Sequence, residues 1–276
     1  MSAGTLYVVA TPIGNLADAS PRAIEVLRAA RIVACEDTRT SATLFARFGI
    51  VAKTVALHEH NERAAAAGLL RTLREGGDVA LISDAGTPAL SDPGAHLVAE
   101  AHKAGIRVCP VPGPNAAAAA FSAAGFAAER FLFAGFLPAS GAARRKALDT
   151  LEHPWPVVLY EAPHRLERTL ADLAAHLGAG REVVVARELT KKFEEVARLT
   201  LGEAAAWLAG APHRKQGEFV LVIAPGEGRT DDLAAGERAL RVLLEALPPS
   251  EAARLAARLS GAPKALLYRK ALERAK

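Results

Sequence analysis

The stretch Leu6-Tyr7-Val8-Val9-Ala10-Thr11-Pro12-Ile13-Gly14-Asn15 decides how the rest of this chain is read. Its first five residues form an apolar run suited to a strand, and the Thr-Pro-Ile-Gly-Asn that follows reads as a loop at the strand's carboxyl end. A helix then starts with Ser20 as N-cap and Pro21 at its first position, reached through that loop and not through a tight glycine turn. The unit recurs. Residues 32–35, 79–83 and 108–111 are further strand-like runs, and 21–30 and 63–75 carry helical periodicity. Such alternation predicts an α/β fold.

After the fourth run, Pro112-Gly113-Pro114-Asn115 leads into an alanine-rich helix, 116–124, which links to a second unit. There the strand-like runs are 131–136, 157–160, 183–186, 196–200 and 219–224, with a helix over 165–177, and their tighter spacing suits a mixed sheet. Beyond Pro225-Gly226-Glu227-Gly228 the pattern is helical, broken at Pro248-Pro249 and Gly261-Ala262-Pro263. The expected domains are 1–113, 114–228 and 229–276.

With 276 residues, 51% of them apolar, the chain can bury a large core. No apolar stretch approaches the roughly 20 residues that span a bilayer, and the start carries neither a basic region nor a cleavage signal, so a cytoplasmic protein is expected. Cys35 and Cys109 lie beside strand-like runs and are expected to be buried thiols. The net charge of +4 is unevenly placed: from Arg229 onward there are ten Lys/Arg against six Asp/Glu, so this segment holds the whole excess. A basic tail suits either a polyanionic partner or a solvated helix face.

Three loops follow strands and are rich in Gly, Pro and small polar residues: Thr11 to Asn15, Ser83-Asp84-Ala85-Gly86-Thr87-Pro88, and Pro112 to Asn115. At the carboxyl ends of strands in an α/β sheet, three such loops can line one cleft and let the backbone approach a ligand. None is a Walker loop or a GxGxxG fingerprint, which argues against a nucleoside triphosphatase or a dehydrogenase, and GxSxG and HExxH are also absent. Glu36-Asp37-Thr38-Arg39 places two carboxylates and a guanidinium just past a strand, where a cleft is expected. His58 and His60 would point to opposite faces of an extended segment, so no metal site is expected. Tyr160 to Arg165 and Arg187 to Lys192 mix basic with acidic groups after strands and suit a phosphate-bearing substrate.

These strings, together with Gly135-Phe136-Leu137-Pro138, Ala186-Arg187-Glu188-Leu189-Thr190-Lys191 and Lys215-Gln216-Gly217-Glu218, closely resemble the ribosomal RNA small subunit methyltransferase I family over nearly the whole chain. The pattern departs from the family's at Ala10, where proline is expected, and at Gln216, where a basic residue is expected. The resemblance implies the tetrapyrrole-methylase (class III methyltransferase) fold, two α/β domains enclosing S-adenosylmethionine, with two subunits pairing. It also implies 2'-O-methylation of a decoding-centre cytidine in 16S small-subunit rRNA. The cofactor is expected against Pro12, Ala85, Gly86, Thr87, Pro88, Leu90, Ser91, Asn115, Ala116, Tyr160, Glu161 and Leu189. Asp37 and Asp84 are candidates for proton acceptor or hydroxyl-orienting group. Arg39, Arg165, Arg187 and Lys191 are candidates for holding ribose or phosphate. The basic tail is expected to dock on rRNA. Two other readings stand beside this one: a small-molecule or tetrapyrrole methylase of the same fold, and a non-catalytic rRNA-binding assembly factor.

Overall fold

A computed structural model describes residues 2–226 and 230–274 of the chain. The first half builds a five-stranded sheet in the order β3-β2-β4-β1-β5. Its strands are β1 (Thr5–Val9), β2 (Ile32–Cys35), β3 (Thr54–Ala56), β4 (Val79–Ile82) and β5 (Arg107–Val111), and every pairing is parallel. The crossovers are α1 (Pro21–Ala29), α2 (Thr38–Phe48), α3 (Glu62–Arg74) and α4 (Ala95–Lys103).

The strands are apolar throughout because both faces are covered. In β4, Val79 and Leu81 pack with Leu69 and Leu73 of α3 and Leu97 of α4. The alternate residues, Ala80 and Ile82, pack with Leu27 of α1 and Phe45 of α2. Ser20 caps α1 as its sequence predicts, its side chain accepting the Ala23 N–H, with Pro21 in the first turn. Asp37 caps α2, a helix for which the charge string alone gave no sign.

The second sheet has the order β6-β7-β10-β8-β9, formed by β6 (Leu132–Phe136), β7 (Val157–Glu161), β8 (Glu182–Arg187), β9 (Glu195–Thr200) and β10 (Phe219–Ile223). It is mixed, as expected: β6 and β7 are parallel, and the remaining pairs are antiparallel. One face packs on α7 (Pro163–Leu177) and its neighbours α6 (Gly141–Asp149) and α8 (Ala204–Ala209). The other face is covered by α5 (Ala116–Ala124), whose Ala117, Ala120 and Ala124 lie against Val158, Val184 and Val222. Alanines at that spacing let the helix settle close to the sheet, and this explains the run's composition.

The helical segment forms α9 (Thr230–Leu243), α10 (Pro249–Ser260) and α11 (Lys264–Arg274), broken where the two Pro/Gly signals stand. These helices share a core of Leu240, Ala252, Ala256, Leu267 and Ala271. The boundary expected near Gly228 lies outside the described residues. One expectation needs correcting. Cys35 is buried, but Cys109 is only half-buried, because β5 is an edge strand and Arg22 reaches the thiol at 3.3 Å.

Candidate functional site

β4 and β1 lie side by side at the centre of the first sheet, and the chain leaves them in opposite directions, to β5 on one side and β2 on the other. Such a switch point opens a crevice at the strands' carboxyl ends. The three glycine- and proline-rich loops meet there and are stitched together. Thr11 and Gly86 exchange backbone hydrogen bonds of 2.8 and 3.1 Å. The Thr87 hydroxyl donates to the Pro114 carbonyl at 3.2 Å, and the Asn115 amide donates to the Thr87 oxygen at 3.4 Å. Asn115 also caps α5, accepting the Ala118 N–H at 2.9 Å, so the third loop is tied to the helix that covers the second sheet.

Above these loops lies a cavity of about 330 Å³, within the range of small-molecule sites. Its first-sheet wall includes Ala85, Gly86, Thr87, Leu90, Ser91, Asn115 and Ala116, and its second-sheet wall includes Tyr160, Glu161 and Leu189. Ten of the twelve positions expected to meet a cofactor therefore surround one space. Pro12 lines an adjoining cavity instead, and Pro88 is buried beneath the loop. The walls bear backbone strain on both sides. Ala89 and Ser91 have φ of 65°, and Glu188 and Thr190, which flank Leu189, have φ of 50° and 67°. Non-glycine residues in this region cost about 1–3 kcal/mol each and cluster where a ligand needs a fixed backbone.

Five residues to which no role was assigned from sequence, Asp92, Phe136, Glu218, Phe219 and Val220, also line this cavity, although Phe136 and Glu218 lie within strings that carry the family resemblance. Ser91-Asp92-Pro93-Gly94 reads as an ordinary turn, and β10 enters the site only through antiparallel pairing with distant strands. Asp92 has the larger chemical consequence. Burial pushes its carboxyl up to about 6, with the charges of Glu36 and Asp84 adding to the effect and a hydrogen bond to Ser83 opposing it. Glu36 is likewise raised, first by burial and then by Asp84. Tyr160, raised by burial, stands edge-on to Phe133 and Phe136 with ring centres 5.0 and 5.6 Å away.

A second cavity of about 310 Å³ adjoins the first and shares Ile13, Ala85 and Glu218 with it. Asp84, Thr40, Ser41, Thr43 and Lys191 contribute its polar groups. Asp84 Oδ1 accepts the Asp37 N–H at 3.0 Å. The Asp37 carboxylate accepts Arg39 at 2.6 Å, and that bond holds its pKa at about 2. Arg39 itself is exposed. Lys191 bridges Glu188 at 2.8 Å and Glu218 at 3.0 Å. Its aliphatic stem rests on Gly14, where a Cβ would come within 2.5 Å of Lys191 Cγ.

Two other expected residues are turned inward. Arg187 is buried and donates to the Gln216 carbonyl at 2.7 Å and the Phe193 carbonyl at 2.8 Å, so it braces the loop after β8. Arg165 pairs with Glu161 at 3.2 Å and donates to the Leu137 carbonyl. The Glu161 carboxylate is also inward, accepting the Ala162 N–H at 2.8 Å and the Thr169 hydroxyl, which in turn receives Arg144 at 2.9 Å. His58 and His60 lie in a turn, not an extended segment, with ring centres 6.1 Å apart. Among the described residues no group of three or more potential metal ligands gathers. No helix among them is long and apolar enough to cross a membrane.

The family model for Tetrapyrrole (Corrin/Porphyrin) Methylases matches residues 5–205, and the model described as RsmI C-terminal HTH domain matches residues 230–275. The chain is 51% identical to ribosomal RNA small subunit methyltransferase I of Pseudomonas aeruginosa, with 99% of each chain covered. It is 48% identical to the Escherichia coli O157:H7 protein of the same name, covering 99% of this chain and 96% of that one. Among solved structures it is similar to the methyltransferase CobJ, at a TM-score of 0.60 and 20% identity over 82% of this chain and 96% of that one. It also resembles uroporphyrin-III C-methyltransferase from Thermus thermophilus complexed with S-adenyl homocysteine, at a TM-score of 0.56 and 18% identity, covering 81% and 97%. At those identities the likeness to solved structures is one of fold.

Proposed function

Because the chain belongs to the ribosomal RNA small subunit methyltransferase I family, we propose that it transfers a methyl group from S-adenosylmethionine to small-subunit rRNA, and that the acceptor is the ribose 2'-hydroxyl of a decoding-centre cytidine. The observation that carries this reading is the first cavity, walled by three interlocked loops of one sheet and by strand ends of the other. Its size and lining fit the cofactor. Ala116, Leu189 and Val220 offer apolar surface to an adenine, and Asp92 offers a carboxylate to the cofactor's cationic ammonium. When bound, the cofactor supplies an electrophilic methyl on a sulfonium.

The chain's own task is to align the hydroxyl and help remove its proton. Asp84, aimed by the Asp37 N–H, is placed to accept or orient that hydroxyl hydrogen. Asp37 serves through the backbone and its cap on α2, since its carboxylate is engaged by Arg39. The exposed Arg39 is suited to an RNA phosphate. The helical segment adds a second contact surface. Arg254, Arg258, Lys264 and Arg269 are exposed on it, and Tyr268 and Leu272 are exposed beside them. We also place the protein in the cytoplasm and expect a homodimer.

Methyl incorporation from labelled S-adenosylmethionine into small-subunit RNA tests the reading. Asp84→Asn should lower kcat by roughly 100-fold or more with little change in cofactor affinity, as expected for a positioned acid–base group. Activity of both Asp84→Asn and Asp37→Asn at the unsubstituted level would remove the two carboxylates from the mechanism. Tight cofactor binding without transfer to any RNA would favour a small-molecule methylase or an assembly factor.

A further inference from the structure

We propose that the second cavity, between the loop after β1 and the start of α2, seats the target nucleoside after it has swung out of the RNA. The inference rests on the function proposed above and gives its acceptor a place. The two cavities share a wall at Ile13, Ala85 and Glu218, so a ribose in the second lies next to whatever fills the first. A ribose within folded RNA could not otherwise enter a crevice between two sheets. Enzymes that act on a nucleotide held in structure take it out of the stack and bind it in a pocket of its own.

The lining suits a nucleoside. Leu16, Leu44 and Ile82 give apolar surface for the flat faces of a heterocycle, the hydroxyls of Thr40 and Thr43 offer donors and acceptors to its edges, and Ser41, whose hydroxyl donates to the Asp37 carbonyl, offers an acceptor. Charge sets the orientation. Asp84, Glu218 and Lys191 lie on the wall of the cavity, and Lys191 is already paired with Glu188 and Glu218, so the wall offers a phosphate no free cation, whereas the exposed Arg39 stands at the start of α2 to take it outside. The same lining leaves the carboxylates of a tetrapyrrole without a free cation. The wall formed by Lys191 exists because residue 14 is glycine, with no side chain to hold the lysine off.

The test uses the full chain, S-adenosylhomocysteine to prevent turnover, and a decoding-region RNA fragment carrying pyrrolocytidine, a fluorescent cytidine analogue, at the target position. Thr43→Trp and Thr40→Trp each fill the cavity from an exposed helical position, and circular dichroism and the melting temperature report whether the fold is kept. The unsubstituted chain should raise the analogue's fluorescence on binding. Both variants should lose that rise and at least about 100-fold in kcat/KM, with S-adenosylhomocysteine affinity held within about twofold. Unchanged kcat/KM in the filled variants would place the nucleoside elsewhere, and loss of cofactor affinity would assign the cavity to the cofactor. If the unsubstituted chain methylates no RNA, the underlying reading of function fails and the subsite falls with it.

Discussion

Asp92 shows how one buried charge couples stability and binding. Its pKa is raised to about 6, so the folded state prefers the protonated acid more than the unfolded state does. The sign follows: ionised Asp92 opposes folding, and the penalty grows as pH rises from the unfolded value near 4 to about 6. Asp92→Asn should therefore raise the melting temperature at pH 8 and leave it unchanged below about pH 4, as followed by thermal denaturation. Binding has the opposite sign. A carboxylate that receives the cofactor's ammonium must be ionised, so affinity for S-adenosylhomocysteine in the unsubstituted chain should increase as pH passes upward through about 6 and be flat in Asp92→Asn. Calorimetric titration at pH 5 and pH 7.5 measures this, and equal pH dependence in both proteins would remove Asp92 from the cofactor contact.

A strand end is useful to a site only where a helix or loop fixes it. The junction of β7 and α7 is held by a buried chain of contacts. Arg144 donates to Thr169 at 2.9 Å and to the Pro138 carbonyl at 3.0 Å and pairs with Asp172 at 2.8 Å, while Thr169 donates to Glu161. Arg144→Ala leaves the Pro138 carbonyl and the Thr169 oxygen without their donor and Asp172 with only Arg168, and should cost about 1–3 kcal/mol in urea unfolding, the cost of stranding buried acceptors. The loops after β1, β4 and β5 are legible in the sequence because Gly, Pro and Asn at fixed offsets after apolar runs have few other uses. Arg187 and Glu161 were legible as candidates for substrate and cofactor contact but not as internal braces, since burial depends on which distant backbone carbonyls and hydroxyls come within reach. Ala10 and Gln216, the two positions at which the sequence reading expects a departure from the family's pattern, are both used through the backbone. The Ala10 N–H donates to the Val111 carbonyl at 3.2 Å, a bond proline could not make, and the Gln216 carbonyl receives Arg187. On α11, Tyr268→Ala with Arg269→Glu should weaken RNA binding and flatten its salt dependence by roughly one unit of slope while leaving cofactor affinity unchanged. Filter binding at several salt concentrations checks it, and an unchanged slope would leave the helical segment a structural cap.

At the scale of the whole molecule, two sheets of different topology contribute unlike halves of one cleft. The parallel sheet supplies backbone-rich loops at a switch point, and the mixed sheet supplies the opposite wall through β7, β8 and β10. The α/β alternation and the mixed second sheet could be anticipated from periodicity and spacing. The insertion of β10 between β7 and β8 could not, because that pairing joins segments far apart in the chain and leaves no local mark. The arrangement fits the proposed function: the first cavity, proposed for the cofactor, lies between the sheets, and the adjoining cavity and the exposed basic residues of the helical segment are the surfaces proposed for RNA. The most direct test is to incubate the protein and labelled S-adenosylmethionine with small ribosomal subunits lacking the modification, then digest the RNA and map the product by mass. A single 2'-O-methylcytidine in the decoding region is the result predicted here. Methylation on a base, or no methylation of particles or free rRNA by a chain that binds the cofactor, would contradict the account.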